Sequence, residues 1–187
     1  LLARHHACRQ GGLRADHRLA PDVDVALVED RVGGEADDAP LAERTEATAG
    51  QSGVPINVTF AGADYYKTMS IKVLAGRGFT REDAVSSLGN VVVSKSAAAL
   101  LWPGADPIGR RLQREGLTTW ETVVGVVDDV MQRDLREPAQ ALVYLPMTGQ
   151  LPTQWRLRSP AYVVKTTRAT TIGADIRALA REIAPEA

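Results

Sequence analysis

A mixed α+β fold follows from three features of this sequence. Hydrophobic residues make up 44% of the 187 and charged residues 24%, which supplies a core and argues against wholesale disorder. Aromatics are only 5%, so the core is built from Val, Leu, Ile and Ala, and the valines gather in the second half, where they favour strands. One strongly amphipathic segment near the C-terminus reads as a helix. Together these predict a two-lobed domain: an αβ lobe from residues 1–53 and 147–187, and a β-rich middle lobe from residues 54–146.

Along the chain, residues 1–20 carry scattered Arg, His and Gly and a weak helical pattern. Residues 22–29 alternate, with Val23, Val25 and Leu27 on one side, as a half-buried strand does. Residues 31–51 are acidic and rich in Ala, Gly and Thr, and read as a long loop or mobile segment. Ile56, Val58 and Phe60 alternate with Asn57 and Thr59 in the next strand. Residues 63–69 suit a short helix that sets Tyr65 or Tyr66 against the core, and residues 71–74 a short strand stopped by Gly76. Thr80 with Asp83 resembles a capping box.

Residues 90–93 form a further strand, and Ser94 then suits the N-cap of a helix running to Leu101. Trp102-Pro103-Gly104 stops that helix, since proline lacks a donor and glycine permits a left-handed exit. Residues 110–113 and 118–127 read as two strands around a turn at Glu115-Gly116, and residues 141–145 as another, ended by Pro146. A polar loop holding Pro152 and Pro160 follows. Residues 162–166 make the last strand, and Thr171 caps a helix to Ile183 whose Ile172, Ile176, Leu179, Ala180 and Ile183 share one face. The junction Leu19-Ala20-Pro21-Asp22 echoes Ile183-Ala184-Pro185-Glu186, as two related αβ units flanking a β-rich middle would.

The totals exclude several functions. Lys and Arg number 22 against 23 Asp and Glu, a net charge of -1, so the basic excess of a nucleic-acid binder is missing. The one cysteine, Cys8, makes no internal disulfide. No run reaches the roughly 20 apolar residues of a membrane span, and no signal peptide is visible. The chain begins with Leu, which suggests a piece of something longer.

Catalytic and cofactor motifs are equally scarce. His5, His6, Cys8 and His17 are residue types of a zinc site, but adjacent His5 and His6 point apart on any regular element, and the segment reads as a poorly ordered terminus. No histidine follows His17 to serve a triad, and Gly76-x-Gly78 lacks the third glycine of a phosphate cradle. Carboxylate pairs include Asp37-Asp38, Glu82-Asp83 and Asp128-Asp129; the last ends an apolar strand, where α/β active sites often lie, yet no base or metal ligand accompanies it. The expectation is therefore no catalytic residue, no cofactor and no metal.

From Val54 onward the sequence resembles a known family. Tyr65-Tyr66-Lys67-Thr68-Met69-Ser70-Ile71 and Leu74-Ala75-Gly76-Arg77-Gly78-Phe79-Thr80 are similar to its "Asp-Tyr-Phe … Leu-Gly-Ile … Gly-Arg-x-Phe-Thr" stretch. Leu101-Trp102-Pro103-Gly104-Ala105-Asp106-Pro107-Ile108-Gly109-Arg110 is the most distinctive run, followed by Val123-Val124-Gly125-Val126-Val127 and Val143-Tyr144-Leu145-Pro146. The family is the MacB-like periplasmic core domain of FtsX-type ABC permeases. Ser94-Lys95 stands where it usually has Asn-Glu, Asp128-Asp129 where Gly-Asp is common, and residues 1–50 match only loosely.

The resemblance implies a periplasmic domain of an inner-membrane protein, partnered by the membrane helices of its own permease, a cytoplasmic ABC ATPase, a second permease copy and, in some settings, an envelope protein. The motif residues Tyr65, Gly76, Arg77, Phe79, Trp102, Pro103, Asp106, Pro107, Gly109, Gly125, Tyr144 and Pro146 read as structural. Trp102 suits a plug between helix and sheet, and Gly125 a bulge or close backbone contact. Two other function classes compete with a transport component. One is a free-standing module binding a peptide, lipoprotein or envelope protein; the other is a small enzyme using Asp128 and Asp129.

Overall fold

The computed structural model describes residues 24–29, 32–33, 41–45, 54–85, 89–114, 118–131, 139–147, 156–157 and 161–183. The expected features at residues 1–20, including His5, His6, Cys8 and His17, and the turn at Glu115-Gly116 lie outside them. The chain divides into two compact units, Ala26–Val163 and Leu1–Val25 with Val164–Ala187.

The strands in order are β1 (Asp24–Glu29), β2 (Val32–Gly33), β3 (Leu41–Thr45), β4 (Val54–Ala61), β5 (Val73–Gly76), β6 (Asn90–Ser94), β7 (Arg111–Arg114), β8 (Glu121–Val127), β9 (Leu142–Pro146), β10 (Arg156–Leu157) and β11 (Ala161–Lys165). The helices are α1 (Tyr65–Thr68), α2 (Arg81–Val85), α3 (Lys95–Leu101) and α4 (Ile172–Ile183). The expectation of a structureless 31–51 is corrected, since β2 and β3 lie there. The Leu-Ala-Glu-Arg-Thr of β3 has no apolar alternation; pairing on both edges, with β4 and with β7, makes it a strand. The loop expected after Pro146 likewise holds β10, paired with β2. The strand expected at 71–74 is shifted to Val73–Gly76.

Within the larger unit, hydrogen-bonded neighbours run β4, β9, β6, β8, β7, β3 and back to β4, closing a six-stranded ring. Closure removes the free edges that open sheets expose. The β4–β9 and β6–β8 pairs are parallel and the rest of the ring antiparallel. Two strands extend it: β1 joins β4 at Phe60–Ala61, and β5 joins β8 at Gly125–Val127.

Alternate residues of the ring strands fill its interior: Ile56 and Phe60 of β4, Val91 and Val93 of β6, Leu112 of β7, Val123 and Val126 of β8, Val143 and Leu145 of β9. Ala97, Ala98 and Leu101 of α3, and Trp102 after it, join the same cluster. The opposite face of β6 and β9, Val92, Leu142 and Tyr144, is covered by Tyr65, Tyr66 and Phe79. Buried on both faces, β6 reads as an unbroken valine run, as such strands do. Each buried valine contributes about 1.5–3 kcal/mol.

The smaller unit holds α4, and Arg168 reaches Asp175 in its first turn at 3.3 Å. Ile172 is buried. The Thr171 hydroxyl donates to the Arg168 carbonyl at 3.3 Å, so it closes the preceding turn.

Candidate functional site

The motif residues gather in three places on the larger unit. The first is where β5 lies over β8. A register shift between Val91 and Val92 leaves one extra residue, Val124, in β8, so Val123 and Val126 both face inward while Gly125 faces out. The backbone of Arg77 passes directly over Gly125, and a Cβ there would overlap the Arg77 carbonyl. The Arg77 N–H donates to the Val124 carbonyl at 3.0 Å. Gly76 makes the approach possible from the other side, with φ at 64° and no room for a Cβ, which would overlap the Val124 carbonyl.

The Arg77 side chain leaves this crossing to clasp Asp83 with two bonds, Nη1–Oδ2 at 2.6 Å and Nη2–Oδ1 at 3.0 Å. Asp83 also accepts from the Thr80 N–H (2.7 Å), the Thr80 hydroxyl (2.9 Å) and Asn90 Nδ2 (2.7 Å). In return the Asp83 N–H donates to Thr80 Oγ1 at 3.3 Å, completing a capping box at the start of α2. Burial works to raise the Asp83 pKa, but the bonds from Arg77, the Thr80 backbone, Asn90 and the Thr80 hydroxyl outweigh it. The carboxyl is held well below the usual carboxylate range. One buried carboxylate thus ties the exit of β5, α2 and the start of β6.

The second place is an aromatic cluster. Tyr66 meets Tyr144 edge-on at 5.3 Å between ring centres and Tyr65 at 5.5 Å, and Phe79 lies 6.0 Å away. Edge contacts of this kind contribute about 0.5–1.5 kcal/mol beyond area burial. Burial, then the neighbouring Tyr144 and Tyr65, push the Tyr66 hydroxyl well above its ordinary pKa. That hydroxyl and the one on Thr68 are buried with no hydrogen-bond partner among the described residues. Pro146 ends β9 beside this cluster's strand, and the Met147 N–H returns to the Ala61 carbonyl at 3.1 Å.

The third is the turn from α3 into β7. Trp102, 6% exposed, sits in the interior cluster at the helix end. Pro103 and Asp106 are exposed and Pro107 half-buried. Asp106 Oδ1 accepts from the Ile108 N–H at 3.0 Å, and Arg110 Nε donates to the Asp106 carbonyl at 2.7 Å. Gly109, with φ at 77°, donates to the Val123 carbonyl at 2.9 Å and so delivers the chain alongside β8. These contacts are local or to backbone.

The carboxylates suspected of chemistry have structural partners. Asp129 accepts from the Ser96 N–H at 2.9 Å and the Ser96 hydroxyl at 2.7 Å, in the first turn of α3, where a negative charge is favoured. Asp128 Oδ1 accepts from the Asp129 N–H at 3.0 Å. Ser94 accepts from the Ala97 N–H at 3.2 Å and the Leu142 N–H at 3.0 Å, capping α3 and pinning β9. Among the described residues no group of three or more His, Cys, Asp or Glu is placed to hold a metal ion. No described helix is long and apolar enough to cross a membrane.

Sequence reasoning found the Thr80–Asp83 box but missed Arg77 and Asn90 as its partners. It also missed the buried Arg114–Glu121 pair across β7 and β8, joined at 2.7 Å through Nε and again through Nη2. The available signal was opposite charges flanking one hairpin turn.

Comparisons with known proteins bear on the whole chain. Several solved structures share its fold. The periplasmic region of MacB from Actinobacillus actinomycetemcomitans aligns at a TM-score of 0.56 and 16% identity, covering 92% of this chain and 87% of that one. The extracellular domain of the noncanonic ABC-type transporter YknZ from Gram-positive bacteria gives 0.59 and 19%, over 85% and 74%. A domain described as part of a permease protein from Porphyromonas gingivalis gives 0.53 and 17%, over 86% and 83%. A comparison with curated proteins finds no match. The family description "MacB-like periplasmic core domain" matches residues 7–185, and the chain belongs to that family.

Proposed function

We propose that this domain is a non-catalytic lever of an ABC transporter permease, coupling ATP-driven movement of membrane helices to export or release of a substrate outside the membrane. The observation that carries the reading is family membership across residues 7–185. The solved relatives, taken from a MacB, an ABC-type transporter and a permease, point the same way. Supporting it physically is the larger unit: a closed ring, buried on both faces at β6 and β9, with β5 clamped to it through Gly125 and Arg77. A tightly packed body transmits displacement because packed cores do not deform continuously.

In this reading the motif residues at the β5 crossing, the tyrosine cluster and the Trp102 turn serve rigidity. The partners are the membrane helices of the same permease, a cytoplasmic ABC ATPase and a second permease copy, with an envelope protein as a further partner. Deletion of residues 26–163 from the intact permease tests it. Transport falls to the level without permease while the ATPase still co-purifies; unchanged transport overturns the proposal.

A further inference from the structure

We draw no further inference here: the strongest candidate, the exposed apolar patch of Met69, Val73 and Leu74 beside the outer edge of β5, carries nothing because nothing in the structure shows what covers it.

Discussion

Replacing Gly125 with alanine tests the β5 crossing at its tightest point. The added methyl overlaps the Arg77 carbonyl, a backbone group that no rotamer change can move. Overpacking of this kind costs about 1–3 kcal/mol. Lifting β5 also loses the Arg77–Val124 backbone bond, about 1 kcal/mol. The expected total is about 3 kcal/mol, or a Tm lowered by roughly 10 °C for a chain of this size. Gly104→Ala is the control: its φ of 71° imposes left-handed strain, but no atom lies within 4 Å of its Cβ position. That strain alone is about 1–2 kcal/mol, and the entropy removed from the unfolded chain is common to both variants. Thermal unfolding followed by circular dichroism therefore ranks Gly125→Ala as the more damaging. A Gly125→Ala protein as stable as Gly104→Ala, or more so, refutes the steric reasoning.

Three further outcomes follow from single contacts. Asp83→Asn keeps a capping oxygen but loses the ion pair to Arg77, whose side chain is 45% exposed and so screened; the cost is about 1–2 kcal/mol at neutral pH. Because folding lowers the Asp83 pKa, its contribution is present above the unfolded carboxyl value near 4 and is lost as pH falls towards the folded one. Denaturant midpoints of wild type and variant should converge from pH 5 to pH 2; a constant gap would contradict this. Glu121→Ala removes the carboxylate that pairs with buried Arg114 through two bonds and costs up to about 3–5 kcal/mol in urea unfolding, and adding Arg114→Ala recovers part of the loss. Ser70→Gly gains about 0.5–1 kcal/mol in the same assay. Ser70 holds φ at 59° where the N–H groups of Ser70 and Ile71 close α1 on the carbonyls of Lys67 and Tyr66.

Elements that bury a regular pattern were readable from sequence. The alternation in β4, the valine run of β6, the Ser94 cap and the breaker after Leu101 all lie where the periodicity puts them. What stayed hidden depends on contacts between distant segments. Nothing local in Leu41–Thr45 marks a strand; β4 and β7 supply its pairing. Ring closure rests on Asn57 meeting Leu142, a register no window of neighbouring residues contains. The same holds for the site. Gly125 was legible as an anomaly in a valine strand, but the Arg77 backbone that requires it comes from another strand. Asp129 looked like a candidate acid until the fold set Ser96 of α3 against it.

A domain coupled to ATP-driven membrane helices moves with each transport cycle. Cys8 is the sole cysteine of these 187 residues, so Cys8→Ser with Lys95→Cys, in a permease whose other cysteines are replaced, places one label per copy on the exposed face of α3. In the intact permease assembled with its ATPase, the distance between two spin labels is measured from their electron dipolar coupling with and without ATP. The expected result is an ATP-dependent shift in that distance that disappears when ATP hydrolysis is blocked before transport. An unchanged distance distribution in a transporter that is moving substrate would contradict it.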